Sequence, residues 1–268
     1  MNDRTDIKSL TPGQLADYVT QMGLPAFRAR QLFQWIHEKA AESFDEMSNL
    51  PVQLRSALQE SCDLVVLRTA DVKISAIDGT RKYLFALPDG NVIESVLMKY
   101  KYGNSVCISS QVGCRMGCRF CASTLDGLER NLRPSEMLDQ IYRIQRHLGE
   151  RISHVVVMGS GEPMDNYDNL VAFIRLLTHE QGLNLSQRNI TVSTCGIVPG
   201  ILRLAEEGLP VTLALSLHAP NDQVRRTLMP IALRYPLSEV LDACQTYYEK
   251  TGRRLTFVYS LVEGGNHK

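Results

Sequence analysis

The chain has 268 residues, 29 basic against 29 acidic side chains, 44% hydrophobic content and seven cysteines. That length holds one large domain, or a medium domain with a small companion, and the apolar content suffices for a core. The balanced charge argues against nucleic-acid binding by bulk electrostatics alone. No apolar run is long enough for a membrane helix, and the charged start of the chain is no secretory signal.

Residues 1–62 read as a small helical unit. Thr11-Pro12 opens a helix with Leu15, Tyr18 and Val19 on one side, and Gly23 closes it. A second helix is expected over residues 26–39, with Phe27, Leu32, Phe33, Trp35 and Ile36 as its apolar side, and a third after Pro51. Residues 63–104 read as a β-hairpin connector, because Pro88-Asp89-Gly90 separates two apolar runs, the second of which contains Glu94.

From residue 105 onward, strands and helices alternate. Strands are expected at 106–108, 154–158, 190–193, 211–217 and 255–261. Helices are expected at 134–148, 169–177, after Pro199, and at 222–228 and 237–250. Near-continuous apolar strands between helices imply an α/β fold with a helix-covered parallel sheet, either a barrel or an open doubly wound sheet. The chain stops seven residues after Leu261, where such a strand calls for a covering helix, so the domain is expected to continue past Lys268.

Chemistry concentrates in Cys114-Arg115-Met116-Gly117-Cys118-Arg119-Phe120-Cys121, a C-x3-C-x2-C run on a loop after a strand. Cysteines this close, in a chain without a signal peptide, read as metal-binding or catalytic in a reducing compartment, which places the protein in the cytoplasm. Structural zinc wants four ligands, so it would need Cys107 or a histidine as well. A [4Fe-4S] cubane on three thiolates keeps one iron open. Cys62, Cys195 and Cys244 belong to no motif and read as core. Between residues 99 and 133 stand six basic and two acidic residues, a local net charge of +4 that reads first as a solvated face and, should nucleic acid bind, as the candidate surface for it.

The cysteine spacing, after the first strand of the α/β region, resembles the signature of the radical S-adenosylmethionine (SAM) enzymes. Gly159-Ser160-Gly161-Glu162-Pro163 after the next strand fits the same family. The segments 106–114, 127–132 and Ser216-Leu217-His218-Ala219-Pro220-Asn221 narrow the likeness to the bacterial adenine-C2 RNA methyltransferases, over nearly the whole chain. The adenine-C8 methyltransferases of 23S rRNA are a close sister group. A non-catalytic, metal-containing RNA-binding fragment is the alternative of another class.

The resemblance implies a partial (β/α) barrel over residues 105–268, incomplete at its C-terminus, behind an RNA-binding accessory domain at 1–62. It implies a [4Fe-4S] cluster on Cys114, Cys118 and Cys121. SAM would be held by Gly161, Glu162, Ser193, Ser216, Leu217 and His218. Glu94 would be a proton acceptor, and Cys107 would help release a covalent RNA–enzyme intermediate. Methylation would use two SAM molecules, one to methylate an enzyme cysteine and one cleaved by an electron from the cluster. Partners would be 23S rRNA, tRNA and an electron donor such as a flavodoxin system, with no membrane, for a monomer. The methyl-carrying cysteine of the family lies in a segment past Lys268, so this chain alone is expected not to transfer methyl groups.

Overall fold

The computed structural model describes residues 4–266. Its first helix, α1 (Pro12–Gln21), starts on a reciprocal cap: the Thr11 hydroxyl accepts the Gln14 amide, and the Gln14 side chain accepts the Thr11 amide at 2.9 Å. The second, α2 (Phe27–Phe33), runs into one π-helical turn, Gln34–Glu38, which buries both Ile36 and His37. The third, α3 (Val52–Ser61), follows Pro51 as expected. Two short strands, β1 (Thr5–Asp6) and β2 (Cys62–Asp63), pair in parallel and clasp the two ends of this unit. Two residues are too few to leave a periodic signal, so the sequence does not reveal them.

The antiparallel strands β3 (Arg68–Ile74), β4 (Arg81–Ala86) and β5 (Val92–Tyr100) come next, with the expected turn between the last two. The first of them is hidden in the sequence by Arg68, Asp71 and Lys73, charges suited to the sheet edge it occupies. Then follow β6 (Gly103–Ile108), the small pair β7 (Gln111–Gly113) and β8 (Leu128–Asn131), α4 (Pro134–Leu148), β9 (Ile152–Val157) and α5 (Tyr167–Leu177). The chain continues through β10 (Ile190–Thr194), α6 (Val198–Glu206), β11 (Thr212–Ser216), α7 (Asp222–Leu228), α8 (Leu237–Thr251) and β12 (Leu255–Val258).

Eight strands form one sheet in the order β12-β11-β10-β9-β6-β5-β4-β3. The five from β12 to β6 are parallel, and the last three are antiparallel. The hairpin is therefore hydrogen-bonded into the sheet of the core, with Val96 opposite Cys107. This is the partial (β/α) barrel with a small helical N-terminal unit. One sheet face, with Leu97, Val106, Ile108, Val155, Val157, Val192, Leu213 and Leu215, is fully buried with α4 residues Met137, Leu138, Ile141 and Ile144 in a single core. The opposite face carries Glu94, Met98 and Cys107 and is only half-buried there. No helix among the described residues is long and apolar enough to cross a membrane.

The N-terminal unit is tied to α4. Lys8 Nζ lies 2.6 Å from Asp139 Oδ1, both side chains fully buried, and Asp139 Oδ2 accepts the Leu67 amide at 2.7 Å. Ser135 donates its amide to Ser9 Oγ (3.0 Å) and its hydroxyl to Asp6 (2.5 Å). His37 Nδ1 meets the Tyr142 hydroxyl at 2.9 Å. From the position next to Asp139 the same helix reaches the sheet: Gln140 accepts the Ser109 amide (2.9 Å) and returns a hydrogen bond to its carbonyl (3.0 Å).

Asp139→Ala leaves the Lys8 ammonium buried without its partner, and is expected to cost about 3–5 kcal/mol in urea unfolding. His37 is fully buried and its pKa is pushed down to about 3, first by burial and then by Lys8 and His179. The unfolded chain therefore takes up this proton before the folded one, whose imidazole stays neutral. The stability it contributes is full above about pH 6.5 and lost as pH falls toward the folded value. His37→Phe should flatten that part of the stability–pH curve, measured by unfolding at several pH values.

Candidate active site

The cysteine loop is an excursion from a small hairpin. Gln111–Gly113 pairs with Leu128–Asn131, and the Cys114 amide donates to the Gly127 carbonyl at 2.8 Å, closing the loop at its neck. Gly113 has φ +73°, and a Cβ there would fall 2.0 Å from the Gly127 oxygen, so only glycine fits. Inside the loop, the Thr124 hydroxyl donates to the Cys121 carbonyl at 2.9 Å, and the Cys121 amide to the Cys118 carbonyl at 3.0 Å. The Arg119 amide reaches out to the Leu228 carbonyl at 2.9 Å, anchoring the loop on the end of α7.

The glycine loop after β9 is stitched to the root of the cysteine loop. The Ser160 carbonyl accepts the amides of Ser110 (2.9 Å) and Gln111 (3.1 Å), and the Gln111 side chain accepts the Glu162 amide at 2.8 Å. Gly161 has φ +102°, and a Cβ there would lie 2.5 Å from Gln111 Cβ. Glu162 is buried. One carboxylate oxygen accepts the Met164 amide at 3.0 Å and the other the Cys195 amide at 2.7 Å. Burial raises its pKa, against those hydrogen bonds.

The C-terminal ends of β10 and β11 complete the site. Ser193 Oγ and Ser216 Oγ stand 3.5 Å apart. His218 has a positive φ of 52°, rare for a residue with a side chain. Its Nδ1 accepts the Ser260 amide at 3.0 Å, so Nε2 carries the hydrogen of the neutral ring. Burial, with Arg225 nearby, lowers its pKa. Phe120 of the cysteine loop stands edge-on to the ring, centroids 4.8 Å apart. Asn266 holds the backbone here by donating to the carbonyls of His218 (2.6 Å) and Ser260 (2.8 Å).

One cavity of about 270 Å³ is lined by Cys114, Cys118, Cys121, Gly161, Glu162, Ser193, Ser216 and His218. Leu217 does not line it. Its side chain packs against the main core, and its amide donates to Val258. Glu94 and Cys107 do not line it either, but share the half-buried sheet face beside it. Glu94 is 42% exposed at its side chain and ion-paired with Lys82, and burial pushes the Cys107 thiol up to about 11. Cys195, read as core from sequence, lines the cavity and packs with Cys118, Leu228 and Met229, whereas Cys62 and Cys244 do lie in the main core. The position of Cys195, two residues past Ser193 at a strand end, was the available signal. Phe120 and Met158 are further liners without one.

The basic window is largely neutralised from within. Lys99 pairs with Glu150, Arg115 with Asp165, Arg130 with Asp89 and Glu136, and Arg133 with Asp6 and Glu136. The acids lie outside the window in sequence, so a local charge count does not see them. Lys101 and Arg119 keep side chains without an ion pair among the described residues.

The Radical SAM superfamily matches residues 108–268, and the Ribosomal RNA large subunit methyltransferase N-terminal domain matches residues 5–64. A relative from Lachnospira eligens, named a probable dual-specificity RNA methyltransferase RlmN, is 64% identical over 98% of this chain and 75% of its own length. The chain belongs to the radical SAM RNA methyltransferases. Another such relative, from Lachnoclostridium phytofermentans, is 59% identical over 99% of this chain and 75% of its own. The crystal structure of a radical SAM methyltransferase from Sphaerobacter thermophilus superposes with a TM-score of 0.93 at 43% identity, covering 98% of this chain and 78% of that one. The chain thus spans about three quarters of the length of these relatives.

Radical SAM chemistry calls for a [4Fe-4S] cluster and SAM, and the donor set fits. The three motif thiols are free cysteines around one cavity. Burial is the first cause raising Cys114 to about 11 and Cys118 to about 12, and Cys121 raises both further. Metal ligation relieves that cost by binding the thiolates. Three thiolates alone leave a zinc site one ligand short, whereas a cubane held by three thiolates keeps one iron open.

Gly161→Ala forces both a disfavoured φ and the clash with Gln111. It is expected to cost about 1–3 kcal/mol in chemical unfolding of the metal-free protein, and to abolish any SAM-induced change in the spectrum of the reconstituted protein.

Proposed function

We propose that this protein methylates C2 of an adenine in 23S rRNA and of an adenine beside the tRNA anticodon. The observation that carries the reading is the convergence of the three motif cysteines with Gly161, Glu162, Ser193, Ser216 and His218 on one cavity. In this reading Cys114, Cys118 and Cys121 hold the cluster. When bound, a cluster with one open iron supplies single electrons to SAM. Such chemistry suits adenine C2, a poor nucleophile that polar methyl transfer serves badly; the protein contributes position and charge.

The chain's own groups divide the remaining work. Glu162, its two oxygens already oriented by the Met164 and Cys195 amides, keeps lone pairs for the ammonium of SAM. The Ser193 and Ser216 hydroxyls and the His218 Nε2–H offer donors to its polar edges. Phe120 and Met158 add apolar surface to the same space. Glu94 takes up a proton lost from the base, and Cys107, whose thiol feels the Glu94 charge, assists release of the RNA. Residues 1–62 grip RNA, and the adenine is unstacked to reach the sheet face. An electron donor of the flavodoxin kind supplies the reductant.

The test is anaerobic reconstitution with iron and sulfide, reduction, and electron paramagnetic resonance with and without SAM. A [4Fe-4S] signal that changes with SAM, and is lost in Cys118→Ser, is the expected result. A signal indifferent to SAM overturns the assignment of the cavity. For the substrate, RNA is treated with this chain and with the protein extended past Lys268, and the modified base is identified by mass spectrometry. Product at adenine C2 from the extended protein is expected, whereas 8-methyladenine overturns the C2 reading. In salt titrations of RNA binding, Arg119→Ala is expected to reduce the slope by about one charge. Arg130→Ala is expected to lower stability, because it removes the bond between Asp89 and the buried Glu136.

A further inference from the structure

Arg225 is the largest fully buried side chain among the described residues. Its Nη2 donates to the carbonyls of Cys195 (2.6 Å) and Ser216 (3.3 Å), and its Nε to that of Leu217 (3.3 Å). Its Nη1 has no partner. No carboxylate forms an ion pair with it among the described residues. The acid on its own helix, Asp222, instead accepts the Leu237 amide at 2.8 Å. A buried guanidinium served only by neutral carbonyls carries an uncompensated charge, an arrangement that costs several kcal/mol in a protein interior.

The surroundings identify the missing counter-charge. The carbonyls Arg225 clamps close β10 and β11, where Ser193 and Ser216 stand. Its helix also takes the Arg119 amide on Leu228, one turn further on, and Cys118 and Cys195 pack with Leu228 in a single apolar cluster. Burial pushes the Arg225 pKa down, and the Cys195 and Cys118 sulfurs would offset that only as thiolates. A thiol becomes a thiolate when it binds metal.

We propose that Arg225 is the counter-charge of the thiolate-bound cluster, held near it by the carbonyls of Cys195 and Ser216. The proposal rests on the cluster assignment above. Before the cluster binds, the buried cation stands alone. With a cluster bound, Cys118, which packs with the Cys195 whose carbonyl Arg225 clamps, would bring thiolate charge near the guanidinium. A fixed positive charge at that place favours the reduced, more negative cluster, and so sets its potential.

The experiment is a redox titration of the reconstituted protein by electron paramagnetic resonance, for wild type, Arg225→Lys and Arg225→Gln. Lysine keeps the charge with fewer hydrogen bonds, and glutamine keeps amide donors without the charge. The expected result is a midpoint potential near wild type for lysine and shifted lower for glutamine. Equal potentials for glutamine and wild type at equal iron content overturn the proposal. Should glutamine take up no cluster, thermal unfolding of the metal-free proteins decides. Arg225→Gln unfolding no lower than wild type supports the proposal, since the residue is then needed only with the cluster. Unfolding below wild type reduces Arg225 to a structural clamp and overturns it. A wild-type protein that binds no cluster refutes the parent assignment, and this one with it.

Discussion

The parallel pairing of β6 with β9 is the constraint on which the site depends. Its register sets Ile108 beside Val157, so the chain leaves both strands at the same level and in the same direction. Two loops distant in sequence, one with three cysteines and one with Gly161 and Glu162, are thereby forced to run side by side. They then bind each other through Ser160, Gln111 and Glu162. Parallel strands gather their functional groups at their carboxyl ends. Ser193 and Ser216 join the cavity for the same reason, one strand further along each time.

The second organising element is α7, a helix of only seven residues. Asn221 caps it by accepting the Val224 amide at 3.0 Å, which fixes where the helix begins and so where Arg225 and Leu228 fall. Both ends of the site lean on it: the cysteine loop through Leu228, the strand ends through Arg225. That gives the segment after His218 a structural meaning beyond lining a pocket.

Much of this was legible in the sequence. The alternation of apolar strands and helices gave nearly every element of residues 105–258, since a buried parallel strand leaves a continuous apolar run. The cysteine spacing and the glycine loop were legible because both are local. What the sequence hid depended on long-range contact. The edge strand β3 is polar because it is an edge. The clasp of β1 and β2 joins residues nearly sixty positions apart. The basic window looked like a surface patch because its counter-ions, Asp6, Asp89, Glu136, Glu150 and Asp165, arrive from elsewhere in the chain. Cys195 looked like core because its role follows from a strand end facing a neighbouring loop, and Leu217 looked like a liner because its neighbours are.

The docking of the N-terminal unit on α4 has a mechanical consequence. Asp139, which grips Lys8, and Gln140, which grips Ser109 where the sheet turns into the cysteine loop, are adjacent residues. One rigid rod thus spans the interval between the helical unit and the catalytic loops, with no hinge in between. In the proposed reading, an RNA held by the helical unit would meet a fixed span to the cavity, and the bending needed to bring a base across it would come from the nucleic acid. Selection among RNAs would act as a ruler does, by whether an unpaired base lies at the right distance from the gripped stem.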